Sequence, residues 1–144
     1  MNESPFDPSR FLQAQETVYA DVLEELSAGR KRSHWMWFIF PQLAVLGRSS
    51  TARFYGLAGK THAQAYANHA VLGERLRACS GLVMAIQGRT ANQILGSPDD
   101  LKLCSCMTLF EAALPEVPIF GSILDRLYDA TRDSLTLDFL RRSD

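Results

Sequence analysis

Apolar positions recur at helical spacing along most of the chain. Phe11, Ala14, Val18, Val22 and Leu26 lie three or four residues apart, with Gln15 on the same stripe, which is the spacing of one helix face. Asp7-Pro8 reads as an N-cap followed by proline at the first helical position, and Gly29 as the stop. Trp35, Met36, Trp37, Phe38, Ile39 and Phe40 are apolar all round, so periodicity alone does not separate a buried helical turn from a strand. A short buried helix ended by Pro41 is the favoured reading, with a minor β element near 36–46 as the alternative. Ser49 or Ser50 then caps a short helix through Leu57, and Thr61 caps another through His69. Leu72, Leu76, Cys79, Val83 and Ile86 form the most regular stripe, which Gly88 stops. Ala91 to Leu95 make one more turn. Ser97-Pro98-Asp99-Asp100 has the form of a helix start: a cap, a proline and two acids in the first turn. Leu103, Met107, Phe110 and Leu114 follow as its buried face. Ile119 to Tyr128 form an amphipathic helix, and Asp133 caps a last one carrying Leu135, Phe139 and Leu140. The expectation is an all-α protein, an irregular bundle of six to eight helices, in one domain over residues 6–142.

A chain of 144 residues with 47% hydrophobic and 22% charged residues suits a single domain with an ordinary core. The net charge of −1 gives no whole-molecule attraction to nucleic acid or an anionic membrane, so anion recognition has to come from a local patch. The three cysteines, Cys79, Cys104 and Cys106, are too few and too irregular for a disulfide framework. They point to a reducing compartment. Met1 to Ser9 lacks the basic start and apolar run of a signal peptide, and the apolar run 35–40 is far too short to span a bilayer. A cytoplasmic protein with no membrane partner is the expectation.

One asymmetry carries the functional reading. From Ser27 to Gly73 there is no Asp or Glu, while the stretch holds six Lys or Arg, all three histidines and both tryptophans. This suggests a site for an anionic, nucleotide-like small molecule, with Lys31, His34, Trp35, Trp37, Arg48 and Ser49 as its candidate residues. Lys31 and Arg48 would hold the anion by charge-assisted hydrogen bonds. Trp35 and Trp37 would stack on a flat ring. The turn before Ser49 would offer free helix-start amides, and His34 would orient the ligand or exchange a proton. Catalysis, if present, would be hydrolysis or transfer at such a ligand. The competing account is structural: the Arg30 to Arg32 run is a solvated helix end and the tryptophans are core. A protein-interaction module without catalysis and a single-stranded nucleic-acid binder are the alternative functions.

Other groupings give less. His62, Tyr66 and His69 would share a helix face but lack a nearby carboxylate, so no metal is expected there. Asp99, Asp100 and Lys102 form a charged group at a helix start, where the dipole suffices to explain both acids. Lys102, between Leu101 and Leu103, reads as a lysine whose stem lies along apolar surface. No P-loop, dinucleotide fingerprint, zinc pattern or nucleophile elbow occurs, and no cofactor is expected.

Three strings, Gly29 to Gln42 (GRKRSHWMWFIFPQ), Leu72 to Leu76 (LGERL) and Lys102 to Phe110 (KLCSCMTLF), resemble the bacterial family called domain of unknown function 1810. The resemblance runs over roughly residues 6 to 140. It implies a mainly helical fold and no established activity, so no catalytic residue carries over. The family pattern has proline where Ala70 stands and serine where Cys106 stands. The label calpastatin sometimes attached to that family describes a long, disordered, repetitive inhibitor. It does not suit a chain with this hydrophobic content and these amphipathic helices.

Overall fold

A computed structural model describes residues 5–143. Met1 to Ser4, part of the segment read for a signal peptide, lie outside the described residues, as does Asp144. The described residues form ten α-helices: α1 (Ser9–Glu16), α2 (Tyr19–Ser27), α3 (Met36–Ile39), α4 (Ser50–Phe54), α5 (Lys60–Asn68), α6 (Ala70–Ala85), α7 (Ala91–Leu95), α8 (Asp99–Ala113), α9 (Ile119–Leu127) and α10 (Ser134–Ser143). A single 3-10 turn spans Ala44–Leu46. The fold is the expected all-α bundle, with more helices than expected. The first helical stripe breaks at Thr17 and Val18, which divides it into α1 and α2.

The bundle is organised around α8. Every residue from Leu103 to Phe110 is buried, because α5, α7, α9 and α10 all pack against this helix. The sequence stripe therefore understates its burial. Ser105 and Thr108 are tolerated inside because each hydroxyl donates back to a carbonyl four residues earlier, Leu101 and Cys104. Tyr66 of α5, Phe110 of α8 and Phe120 of α9 form a chain of ring contacts with centroids 5.7 Å apart at each step.

A buried polar junction fixes α1 and α3 on this frame. Gln15, 0% exposed, donates through Nε2 to the Phe38 carbonyl (2.8 Å) and to Tyr66 Oη (3.1 Å). Its Oε1 accepts from Arg75 of α6 at 3.2 Å. Tyr66 Oη in turn donates to the same Phe38 carbonyl at 3.1 Å. A buried amide is costly unless its donors and acceptors are satisfied, and this junction satisfies Gln15 from three helices.

The favoured short buried helix is present as Met36–Ile39, and among the described residues the β alternative reduces to an isolated parallel bridge between Leu43 and Leu57. Helix boundaries differ from expectation where capping chemistry differs. Gly59, not Thr61, precedes α5. His69 starts α6 as its cap, with Nδ1 accepting from the amides of Val71 and Leu72, so His62 and His69 do not share one continuous helix. Ser97 does not cap α8: Pro98 occupies the cap position, and no side chain caps the helix there. Ser49 and Asp133 do cap α4 and α10, through the amides of Ala52 and Thr136.

Candidate functional site

The end of α2 sets the position of Lys31. Gly29 adopts φ +79°, in the left-handed region that glycine tolerates. The Arg30 amide closes back on the Glu25 carbonyl, and the Lys31 amide donates to the Ile94 carbonyl of α7 at 2.7 Å. With its backbone pinned between α2 and α7, Lys31 places Nζ 2.8 Å from Asp99 Oδ2, in the first turn of α8. Lys102, one turn further along α8, brings its Nζ to 3.7 Å from the other carboxylate oxygen. The second distance is a charge contact rather than a hydrogen bond. One carboxylate thus faces two ammonium groups, in a place where the side chains of Lys31, Asp99 and Lys102 are 8%, 19% and 23% exposed.

The two indoles flank the same cluster. Lys31 Nζ lies 5.1 Å from the Trp35 ring centroid, and Lys102 Nζ 5.1 Å from that of Trp37. Both distances suit cation–π attraction. Trp35 is held by Glu25, whose Oε1 accepts from Trp35 Nε1 (2.9 Å) and from the amides of Arg32 (2.7 Å) and Ser33 (3.1 Å). The other oxygen, Oε2, accepts from Ser33 Oγ at 2.6 Å. Burial works to raise the Glu25 pKa, but the hydrogen bonds from Ser33, Arg32 and Trp35 outweigh it and hold the carboxyl at about 2. Glu25 therefore stays ionised and orders the loop that carries Lys31. Asp100 turns away from the lysines: its oxygens accept from Asn92 and from the Leu101 amide.

The structure brings together three of the six residues singled out from the sequence. Lys31, Trp35 and Trp37 meet at the start of α8. Trp35 is fully buried with its N–H spent on Glu25, so it supports the lysine and has no face for a ligand ring, contrary to the stacking role expected of it. Trp37 is half-buried and keeps an accessible part. His34 is exposed, next to Trp35 in the sequence. Arg48 and Ser49 are exposed elsewhere, on the turn into α4. Ser49 Oγ is occupied in capping that helix, and neither residue hydrogen-bonds or ion-pairs with the cluster.

Asp99, Lys102 and Glu25 were not among the candidates. From the sequence, the helix dipole suffices to explain the two acids at the α8 start. The signal available for Glu25 was its place as the last acid before the acid-free stretch, one helical turn from the loop it orders. A separate open groove of about 420 Å³ lies between the ends of α2 and α6, lined by Leu26, Gly29, Leu82, Ile86 and Arg89 among others. It includes none of the lysine cluster. Among the described residues no three His, Cys, Asp or Glu side chains converge as a metal site, and no helix is long and apolar enough to cross a membrane.

Comparison with known proteins agrees with the fold. No curated protein matches this sequence. The chain is similar to a conserved hypothetical protein from Mycobacterium tuberculosis known from a crystal structure, at 51% identity and a TM-score of 0.94, over 96% of this chain and 99% of that one. A family model described as protein of unknown function (DUF1810) matches residues 5–140. The chain therefore belongs to the DUF1810 family.

Proposed function

We propose that this protein binds an anionic small molecule, nucleotide-like in its fullest form, at the start of α8, and that it does so in the cytoplasm. The observation that carries this reading is the convergence of Lys31 and Lys102 on the single carboxylate of Asp99. Two ammonium groups share one carboxylate in a partly buried setting, where excess charge is costly without a partner. An anion of higher charge balances both ammonium groups. The dipole of the 15-residue α8 adds positive potential at the same end. Relative to the sequence expectation, the anion holders become Lys31 and Lys102 in place of Lys31 and Arg48, and the available ring is Trp37.

A thermal-shift screen with nucleotides, ADP-ribose, sugar phosphates and simple carboxylates at constant ionic strength tests this. A ligand at about a hundred times its Kd stabilises the fold by about 2.7 kcal/mol, a shift of several degrees for a domain of this size. Lys102→Met is expected to abolish the shift while leaving the fold intact. A shift of undiminished size in that variant would remove the site assignment, and a flat screen would remove the reading.

A second reading has its own support. Val45 and Phe54 are 64% and 58% exposed, on the 3-10 turn and on α4, which pack together. Arg48 and Arg53 are exposed on the same excursion. Aromatic and arginine side chains are the types enriched in protein interfaces. A protein-interaction role predicts that Phe54→Ser abolishes a stable complex on pull-down. Single-stranded nucleic-acid binding has less support, since burial of Trp35 removes half of the indole surface it would use.

A further inference from the structure

Resting on the anion-binding reading, we infer that Asp99 is the built-in counter-anion of this site. It stands where a phosphate group is received, and ligand binding exchanges the Asp99 carboxylate for that phosphate between Lys31 and Lys102.

The geometry of the carboxylate is the first support. Its two oxygens each face one ammonium, at 2.8 and 3.7 Å, as an oxyanion bridging two lysines would. The second support is that, among the described residues, no other acid pairs with either lysine. Glu25 is saturated by donors from Arg32, Ser33 and Trp35 and makes no ion pair. Asp100 is turned toward Asn92 and its own helix start.

The third support is an asymmetry that provides an opening. Lys31 is the tightly paired and more buried partner, whereas Lys102 is loosely paired and more exposed. The Lys102 side therefore opens first. Asp99 sits in the first turn of α8, where its side chain can rotate to solvent without breaking the helix.

Phosphate fits the vacated position better than a second carboxylate. Two compact ammonium groups act as point charges that any pair of phosphate oxygens satisfies. A dianion also gains more than a monoanion from two cations and a helix N-terminus. The half-exposed Trp37 beside Lys102 offers a surface to the organic part of a phosphoester.

The test is a titration of the wild type, Asp99→Asn, Asp99→Ser and the double variant Asp99→Asn with Lys102→Met. Inorganic phosphate and a nucleoside monophosphate serve as probes, with chloride adjusted to constant ionic strength. Tryptophan emission and thermal shift report binding, and circular dichroism reports the fold. Removing the carboxylate that competes with phosphate for the two lysines is expected to tighten binding by about tenfold or more, and the double variant is expected to lose it. The serine variant answers the same question if the asparagine variant does not fold. Tighter binding of the nucleoside monophosphate than of phosphate assigns the source as a phosphoester, and equal binding assigns free phosphate; either one supports the exchange when the Asp99 variants bind more tightly than the wild type. Finite affinities that are equal in the wild type and a folded Asp99 variant, or weaker in the variant, would overturn the exchange and leave the anion site standing. Binding by none of the four proteins removes both.

Discussion

Glu25 shows how one side chain can set the conditions for a site it does not enter. Its carboxylate takes hydrogen bonds from two amides, one hydroxyl and one indole N–H, and these fix the loop on which Lys31 sits. Replacing it with alanine leaves the buried Trp35 N–H without its acceptor, at a cost of about 3 kcal/mol, measurable by urea unfolding. Its acidity gives a pH signature. Folding holds Glu25 near a pKa of 2 against an ordinary 4.5. Its contribution is therefore full above about pH 5 and falls as pH drops from there through 2, where the carboxyl takes up a proton in both states. Stability measured across that range is expected to fall less steeply in Glu25→Gln than in the wild type. Parallel acid limbs for the two proteins would contradict this account.

At the scale of the element, the excursion between Leu43 and Leu57 depends on backbone contact. The Ala44 amide donates to the Leu57 carbonyl (2.8 Å) and the Leu57 amide to the Gln42 carbonyl (2.9 Å). Arg10 of α1 ties the end of α4 by donating to the Phe54 carbonyl at 2.8 Å. Gly56 makes this possible, since a Cβ there would stand 2.2 Å from Ala44 Cα. Gly56→Ala is expected to lower stability by about 2 kcal/mol or more, with hydrogen exchange accelerated across residues 43–57 before the rest of the bundle. An unchanged exchange pattern in that variant would show that the two segments are not held by this approach. The helix-end residues tell a related story. The cap residues Ser49 and Asp133 were legible because side-chain capping is local. His69 was not, because its cap exists only once the chain breaks between α5 and α6.

For the molecule as a whole, burial governs the cysteines. Burial pushes the Cys79 thiol up to about 11, raises Cys104 and raises Cys106 well above the ordinary range. All three are free and buried, and a thiol reacts as its thiolate. None of the three is expected to react with a thiol reagent at about pH 8 in the folded protein, and all three after unfolding. Rapid modification of the native protein would contradict the burial of these thiols in α6 and α8. The charge distribution belongs to the same scale. Net charge is nearly zero, yet the acid-free stretch meets Asp99 from a distant part of the chain, so the local balance at the start of α8 differs from both the overall charge and the sequence segment.

The all-α class, the helical stripes and the local stops were legible in the order of the amino acids alone. Those features depend on spacing, glycine and neighbouring hydrogen-bonding groups, all of which act within a few residues. The acid-free stretch was legible there too, and with it Lys31, Trp35 and Trp37. Tertiary structure alone decided that α8 is buried on every side, that Trp35 is spent on Glu25, and that Arg48 and Ser49 stand apart. It also decided that Asp99 and Lys102 complete the cluster around Lys31. The reason is physical: a charge pair between residues far apart in sequence leaves no period or motif in the chain, and arises only when packing of α2, α7 and α8 brings the three side chains within a few ångströms.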